Sequence, residues 1–400
     1  MQPFLKDIAQ KIAARPNLGG LTIVFPNRRA ALFFQKYLSE GLARPTWSPR
    51  LVSIESFFSS LSELREPDRL SLIHRLYRVY NEVMGSEEPF DRFYFWGDML
   101  LRDFDEVDKY MVDAPLMFRD LSKLKELDES FDFLTEGQRG FLKGFWANFE
   151  EKPAGSKESF LKVWRKLPKV YATYVKSLKK EKLGYEGMVH REVAVKAMGK
   201  GILGKDERGT DYVFAGFNAL TKAEEALIGY FVGEGAACYW DLDAYYVEDN
   251  WQEAGRFFRQ YRNHPVLSKT FEAPPANFKG APKEIKLTGV PQRIGQAKLV
   301  GQALGAGLPP GDEMEKTVIV LPDEAMLLPV LHSLPPGLPD VNVTMGYSLG
   351  NTPLYNLLDL LIELQLHRSG SHFSHRQVTA ILAHAYVLNF GSHNMMVFDI

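Results

Sequence analysis

The strongest constraint on the fold is a short apolar run that leads directly into an amphipathic helix. Residues 21–25 (LTIVF) have the length and β-branched content of a buried strand. The following residues, PNRRAALFFQKYL, indicate a helix with Asn27 as its N-cap. Its predicted core face carries Ala30, Phe33, Phe34 and Tyr37. Residues 49–58 repeat the pattern with Ser53 or Ser56 as the cap, and such strand–helix units build parallel α/β sheets.

Helical periodicity replaces this pattern from residue 62 to residue 205. Apolar residues recur there every three or four positions, for example Phe93, Trp96, Leu100, Phe104, Val107 and Met111. Residues 150–158 (EEKPAGSKE) have the composition of a linker inside this block. We interpret residues 62–205 as an all-helical insertion into the α/β domain.

The α/β pattern returns after the insertion. Residues 212–215 indicate a strand, and Thr221 followed by Glu224 has the spacing of a helix capping box. Residues 236–246 (AACYWDLDAYY) indicate a further strand. The first α/β domain is therefore predicted to be discontinuous and to consist of residues 1–61 and 206–275.

A Pro-rich segment at residues 263–284 marks a boundary to a second α/β domain at residues 283–400. Its predicted elements are strands at 285–290 (IKLTGV) and 316–322 (KTVIVLP), and helices at about 293–305 and 353–367. The final residues, MMVFDI, give this domain no compact finish, so we expect it to be incomplete.

The composition suits large buried cores rather than disorder, because 45% of the residues are apolar and 12% are aromatic. A net charge of −2 gives no general attraction to nucleic acid, so any DNA contact must be a local patch. The single Cys238 excludes a disulfide framework and suits a reducing compartment. Because a signal peptide and a run of about 18 apolar residues are both absent, we expect a cytoplasmic protein without membrane contact.

Residues 199–206 (GKGILGKD) resemble a phosphate-binding loop. Gly199, Gly204 and Lys205 have the required spacing, but Asp206 stands in place of Ser or Thr. Such a loop works between a strand and a helix, whose N-terminal N–H groups face the phosphates. Here the segment follows a predicted helix and precedes a predicted strand. We therefore predict a surface turn rather than a nucleotide site.

A second pattern, Asp105-Glu106-Val107-Asp108, resembles the paired carboxylates of helicases. In helicases these residues end a buried strand, whereas here they lie in a run with helical period. We predict that they form a solvated acidic face with Asp103 and Asp113 and bind no metal. The sequence contains no nucleophile elbow or metal-ligand spacing that would indicate a catalytic site.

Residues 161–183 form a strongly basic stretch that is interleaved with aromatic residues. Its cations are Lys162, Arg165, Lys166, Lys169, Lys176, Lys179, Lys180 and Lys182. Basic faces with aromatic side chains bind nucleic-acid backbones, so we predict DNA contacts from Arg165, Lys166, Lys169 and Lys176. A solvated helix face, or a partner for the acidic helix, explains the same pattern equally well.

Arg28 and Arg29 lie at a predicted helix start, where the helix dipole disfavours cations by about 0.3–1 kcal/mol. A DNA phosphate opposite Asn27, Arg28 and Arg29 would account for them, and a salt bridge to an acidic neighbour is the alternative. The loop RPTWSPR places Trp47 close to Arg50, in an arrangement suited to stacking on a base. Packing of Trp47 against the domain is the alternative there.

Four segments in this order and spacing carry a resemblance: TIVFPNRRAALFFQKYL, FYFWGDMLLRDFDEVDKYM, YVFAGFNALTKAEEALI and VNVTMGYSLGNTPLYNLLDLL. Together they resemble the AddB-type subunits of bacterial helicase–nuclease complexes, of the PD-(D/E)XK nuclease family. The resemblance covers most of the chain and implies a degenerate P-loop NTPase-like fold of the superfamily 1 helicase type. A RecA-like domain with a helical insertion would precede a second RecA-like domain, and a nuclease domain would follow beyond this segment.

The resemblance also implies which helicase functions are retained. The segment from Phe25 to Arg29 matches the region that touches single-stranded DNA, and Gly216, Phe217 and Asn218 replace the carboxylates of active helicases. The chain would be a non-hydrolysing DNA-binding subunit in double-strand-break resection, with no cofactor in this segment. Its partners would be a single-stranded or duplex DNA end and an AddA-type motor.

ATP and magnesium would bind in that partner, and a metal would bind in the nuclease domain. An active ATPase that uses Lys205 and a protein-interaction scaffold without DNA binding are the alternatives.

Overall fold

The computed structural model of the chain describes residues 2–117, 156–199, 211–280, 282–307, 316–338 and 341–393. The chain divides into two compact units, Met1–Lys283 and Glu284–Ile400. The division falls at the end of the Pro-rich segment that the sequence marks as a boundary. The described helices of the first unit are α1 Phe4–Ala13, α2 Arg28–Gly41, α3 Ile54–Leu61, α4 Arg69–Met84, α5 Phe90–Lys109, α6 Ser156–Lys180, α7 Glu186–Met198, α8 Lys222–Gly233, α9 Ala244–Val247, α10 Arg256–Tyr261 and α11 Asn277–Gly280.

A four-stranded parallel sheet with the strand order β2-β1-β3-β4 forms the centre of the first unit. Its strands are β1 Leu21–Phe25, β2 Arg50–Ser53, β3 Asp211–Ala215 and β4 Ala237–Tyr239. Every residue of β1 is buried, because a central parallel strand is covered on both faces, and its sequence is accordingly apolar throughout. Strands from before and after the helical insertion therefore share one sheet, and the predicted α/β class is confirmed.

Helices cover both faces of the sheet. On one face α1 and α2 pack with Ile23, Phe25 and Val213. On the other face α3, α7 and α8 pack around Val24 and Phe214. This division follows from the alternation of side chains along a strand. The last strand is shorter than predicted, since β4 ends at Tyr239 and the chain turns into α9 five residues later.

Helix starts follow the capping residues expected from the sequence. Asn27 Oδ1 accepts a hydrogen bond from the backbone N–H three residues later at 2.9 Å, as predicted. Ser53 rather than Ser56 caps α3, with the corresponding distance at 3.4 Å. Thr221 and Glu224 form the predicted capping box of α8. These side chains satisfy amide groups that the first helical turn leaves without a partner.

One predicted core residue of α2 is wrongly assigned. Phe34 is fully buried, whereas Phe33 is 45% exposed. Adjacent residues lie about 100° apart around a helix, so the sheet covers one of the two rings and leaves the other at its margin.

The insertion has a hydrophobic core of its own, formed mainly by α4, α5 and α6. Phe93, Trp96, Leu100, Phe104 and Val107 line the buried side of α5, as the periodicity predicts. The predicted run also includes Met111, which lies beyond the end of α5 and has a φ of 56°. The predicted linker at residues 150–158 lies mostly outside the described residues.

The second unit contains α12 Arg293–Gly307, α13 Leu327–Ser333, α14 Pro353–Leu366, α15 His375–Leu382 and α16 Ala385–His393. The helices predicted at about 293–305 and 353–367 are confirmed. The strands predicted at 285–290 and 316–322 are not found among the described residues, which form no sheet in this unit. Val318 and Val320 are each 78% exposed. A β-branched run becomes a strand only where a second strand satisfies its backbone groups, and the described part of the unit offers none.

None of the helices described for this chain is at once long enough and apolar enough to cross a membrane.

Candidate nucleic-acid interface

The carboxyl ends of the parallel strands are where open α/β sheets bind their ligands. At this edge β1 continues through Pro26 and Asn27 directly into α2, and Arg28 and Arg29 lie in the first turn of that helix. Both side chains are exposed, and the first turn contains no acidic residue. Within the described residues neither arginine forms an ion pair. The predicted alternative, a salt bridge to an acidic neighbour, is therefore not seen at this position.

The described connections at this edge contain no glycine-rich loop. The β1–α2 connection is Pro26 and Asn27, and β2 ends at Ser53, which itself caps α3. After β3, Gly216 has a φ of 82°, and its N–H donates to Tyr239 O at 3.1 Å. The Gly216 amide therefore bonds the end of β4 and is not available to a phosphate. The described connections after β1, β2 and β3 therefore lack the run of glycines that lets a phosphate loop wrap its backbone around an anion.

The phosphate-loop pattern lies on the other side of β3. Gly199 is the C-cap of α7, and the next described element is β3, whose Asp211 N–H donates to Gly20 O at 3.1 Å. Gly20 precedes β1, so the segment delivers the chain to the amino edge of the sheet. The predicted order of helix, segment and strand is confirmed. Gly204, Lys205 and Asp206 themselves lie outside the described residues.

Residues 216–218, which follow β3, contain no carboxylate. Phe217 is buried with its ring 6.3 Å from that of Phe214, and Asn218 is exposed. A buried aromatic ring in this position supports the sheet and leaves only an amide at the surface.

An acidic cleft that the sequence analysis missed lies beside β4. Its volume is about 710 Å³, and it lies between the start of α1 and the residues after β4. Its charged lining residues are Asp7, Lys11, Asp241, Asp243 and Glu272. Burial and the nearby Asp243 raise the pKa of the Asp241 carboxyl. This excess of carboxylates opposes a polyanion, so the β4 side of the edge is unsuited to DNA.

Trp47 and Arg50 lie near the amino ends of the strands, away from the carboxyl ends where Arg28 and Arg29 are found. Arg50 opens β2 and is paired with Thr22 near the start of β1. The Trp47 indole is 86% exposed. The base of its side chain lies beside Gly19, since Trp47 Cβ is 3.1 Å from the position that a Cβ on Gly19 would take. The predicted alternative, packing of the Trp47 ring against the domain, is therefore not observed. The length of β1, about 13 Å, separates these residues from Arg28 and Arg29.

A row of exposed cations runs along α6. We call this set the α6 stripe: Arg165, Lys169, Lys176, Lys179 and Lys180. At about 100° per residue these positions span about 100° of the helix circumference, so they share one face. The Lys162 side chain lies outside the described residues. The structure thus places the predicted basic cluster on the solvent side of α6.

Two other cations of the basic stretch have local partners. Lys166 Nζ donates to the carbonyl oxygens of Val83 and Met84, both at 3.1 Å, at the end of α4. Lys182 Nζ lies 3.6 Å from a carboxylate oxygen of Glu63. Lys166 therefore has a structural contact that Lys169 and Lys176 lack among the described residues.

The acidic pattern on α5 is helical, as predicted, but Asp108 is not part of a solvated face. Its side chain is buried and accepts hydrogen bonds from the hydroxyls of Tyr171 (2.6 Å) and Tyr185, while Arg191 Nε lies 2.5 Å away. The prediction of a solvated face is wrong here because α6 and α7 cover this side of α5. Burial raises the pKa of the Asp108 carboxyl, and its three partners oppose that shift.

The other acids of this pattern are distributed differently. Asp103, Glu106 and Asp113 are exposed, as predicted. Asp105 is half-buried, accepts from Gly187 N–H at 2.6 Å and lies 2.7 Å from Lys109 Nζ. The partners of Asp105 are thus on α5 and α7. In the alternative interpretation the basic stretch on α6 pairs with this acidic helix, but the described contacts show no pair between Asp105 and Lys169. Groups of three or more potential metal ligands do not occur among the described residues.

No protein-family model matches this chain, and no curated protein sequence is significantly similar to it. The resemblance to helicase–nuclease subunits therefore stays a prediction from the four ordered sequence segments.

Proposed function

We propose that this chain is a non-hydrolysing, helicase-like DNA-binding subunit of a complex that resects double-strand breaks. The observation that carries the proposal is the arrangement of β1, its neighbour β3 and the connection from β1 to α2. β1 and β3 are adjacent parallel strands with Val24 opposite Phe214, and the two-residue Pro26–Asn27 connection between β1 and α2 contains no glycine-rich loop. A parallel sheet of this kind is compatible with a RecA-like domain, and an AddB-type helicase portion is the identity that we propose for it.

Arg28 and Arg29 supply the DNA contact at this edge. Two unpaired guanidinium groups at a helix N-terminus are disfavoured by the helix dipole unless an anion lies opposite. A phosphate of single-stranded DNA has the charge and the hydrogen-bond acceptors to bind both. In this proposal ATP hydrolysis belongs to an AddA-type partner, and nuclease chemistry belongs to a domain outside this segment.

The test is DNA affinity measured by fluorescence anisotropy over a range of salt concentrations. We expect Arg28→Ala/Arg29→Ala to weaken single-strand binding about tenfold or more and to reduce the slope of log affinity against log salt by about 1–2. The control is Lys36→Ala/Arg256→Ala, which removes two exposed cations elsewhere in the first unit and should leave binding unchanged.

Two results contradict the proposal. One is a wild-type protein without affinity for DNA at low salt. The other is ATP turnover that Lys205→Ala abolishes, since that would establish the active ATPase alternative.

A further inference from the structure

Over the described side chains, residues 163–180, the exposed face of α6 carries cations without aromatic rings. Arg165 and Lys180 mark the ends of the α6 stripe, and at 1.5 Å per residue they lie about 22 Å apart along the helix axis. Among the acids close to it in sequence, Glu181 lies beyond the stripe and pairs with Arg75 at 2.9 Å. The stripe is therefore a linear run of cations with exposed side chains, and Glu181 and Glu192 interact electrostatically with Lys180 and Lys179 at its C-terminal end.

The aromatic side chains of α6 are directed away from this face. The Tyr171 hydroxyl donates a hydrogen bond to buried Asp108 at 2.6 Å, and the Tyr174 hydroxyl donates one to Leu72 O at 3.0 Å. Trp164 is half-buried against the hydrophobic core of the insertion. Turning the two tyrosines outward would break these buried hydrogen bonds and expose their rings to water, which is costly. Basic and aromatic residues that alternate in the sequence are thus separated in space over the described side chains of α6.

This separation discriminates between two forms of nucleic acid. Proteins that hold single strands without sequence preference stack the bases on aromatic rings as well as binding the phosphates. A duplex keeps its bases stacked inside and presents phosphates outside, so cations alone can hold it. A stripe of about 22 Å runs past about six phosphates of one strand at 3.4 Å of helix rise each. The face matches the needs of a duplex and lacks the stacking surface of a single-strand site.

The geometry points to the α6 stripe as a sequence-independent binding site for the phosphate backbone of duplex DNA. The choice of DNA rests on the proposed function, and the choice of duplex rests on the separation of the aromatic and basic faces. The stripe and the α2 arginines would then hold different parts of a DNA end, the duplex and the unwound strand respectively.

The experiment compares two variants of the full chain with equal changes in charge. The stripe variant is Arg165→Ala/Lys169→Ala/Lys176→Ala/Lys180→Ala. The control variant is Lys36→Ala/Arg256→Ala/Lys269→Ala/Lys286→Ala, which removes four exposed cations outside α6. The probes are a blunt duplex of about 20 base pairs, longer than the stripe, a single strand of equal length and a duplex RNA of the same sequence. Circular dichroism and thermal melting verify that the variants are folded.

We expect the stripe variant to lose about a hundredfold in duplex DNA affinity and about 3–4 in the salt slope, with single-strand affinity changed less than about threefold. The control variant should bind duplex DNA like the wild type. A charge-conserving variant, Lys169→Arg/Lys176→Arg/Lys180→Arg, should retain duplex binding, because the site needs charge rather than a particular side chain.

Several results would overturn the inference. These are equal loss on single and double strands, no loss on the duplex, an equal loss in the control variant, or duplex RNA bound as tightly as duplex DNA with the same dependence on the stripe. If the wild type binds single strands through Arg28 and Arg29 but does not bind a duplex, this inference fails while the proposed function stands. If no DNA binds at all, both fail.

Discussion

Two tyrosine hydroxyls and the guanidinium of Arg191 converge on the carboxylate of Asp108 at the junction of α5, α6 and α7. Arg191 also donates from Nη2 to Val107 O at 2.8 Å and to Val112 O at 2.7 Å, so its guanidinium joins α7 to the end of α5. A buried carboxylate is tolerated only when such partners replace water. At the residue scale, this group of side chains attaches α5 and α6 to α7, the helix of residues 62–205 that packs against the sheet.

Asp108→Ala should lower the free energy of unfolding by about 3 kcal/mol, because it leaves two hydroxyls and a partly buried guanidinium without their acceptor. Asp103→Ala, on an exposed position of the same helix, is the control and should change it by less than about 0.5 kcal/mol. Chemical denaturation measures both. Equal effects of the two substitutions would show that Asp108 has no special role.

His190 is a second buried polar residue in this region. Its ring stacks on Phe58 with 3.8 Å between centroids, and neither ring nitrogen has a hydrogen-bond partner within the described residues. The charged groups that face it are Glu186 on α7, at 3.7 Å from Nε2, and Lys109 and Asp105 on α5. Burial, with a smaller contribution from Lys109, lowers the pKa of His190 to about 4.

The folded protein should therefore lose stability as the pH falls from about 6.5 to about 4. In this range the unfolded chain binds a proton at His190 and the folded chain does not, so the contribution is complete above pH 6.5 and is lost below it. The loss amounts to up to about 3 kcal/mol. His190→Phe, which cannot be protonated, should flatten this part of the profile of unfolding free energy against pH. His74→Gln, which removes an imidazole at an exposed position, is the matched control.

At the scale of the element, the C-terminal end of α4 is completed by Lys166, a residue that the sequence pattern assigned to DNA binding. Gly85 adopts a left-handed conformation, with a φ of 67°, and its N–H donates to Asn81 O at 2.8 Å. The carbonyls of Val83 and Met84 in the last turn accept from Lys166, whose charge also complements the negative end of the helix dipole.

Lys166→Met and Lys169→Met should have opposite consequences, although the two lysines are neighbours on α6. The Lys166 substitution should lower the unfolding free energy by about 1 kcal/mol and leave duplex DNA affinity within about twofold of wild type. The Lys169 substitution should leave stability unchanged and weaken duplex binding. Thermal melting and anisotropy on the same preparations separate the two effects. A Lys166 variant that is fully stable but defective in binding would contradict this assignment.

At the scale of the whole molecule, the two units differ in how much apolar surface they bury. The described residues of the first unit form three hydrophobic clusters, around the two sheet faces and within the insertion. The described core of the second unit is a small cluster around Ala297, Met326 and Val330. Burial of apolar surface is the main source of stability, so the first unit should be the more stable of the two.

Limited proteolysis of the full chain should therefore cut early between residues 282 and 289. These residues are all exposed and form no helix or strand, and they include Lys283 and Lys286 as sites for trypsin. Mass spectrometry should identify a fragment that ends in this segment and outlasts the material C-terminal to it. Resistance of this segment, with faster cleavage inside β1–α2 or α4–α5, would contradict the division into units.

The local sequence was sufficient for most elements of the first unit. β1, the Asn27 cap and the Thr221–Glu224 capping box depend on residues within one turn or one strand, and such signals act over a few positions. The same signals overextended the last strand and gave the second unit strands that the described residues do not form. Strand pairing needs a distant partner, which a local pattern cannot specify.

What the sequence determined by itself is the periodicity: a parallel α/β sheet, a helical insertion and a basic stretch on a helix. Only the tertiary structure decided where each side chain of that pattern points. It buried Asp108, used Lys166 to complete α4, separated Trp47 and Arg50 from Arg28 and Arg29, and turned the α6 aromatics inward while leaving the α6 stripe in solvent. The physical reason is that helix periodicity defines faces, whereas the elements packed against a helix decide which of its faces meets water.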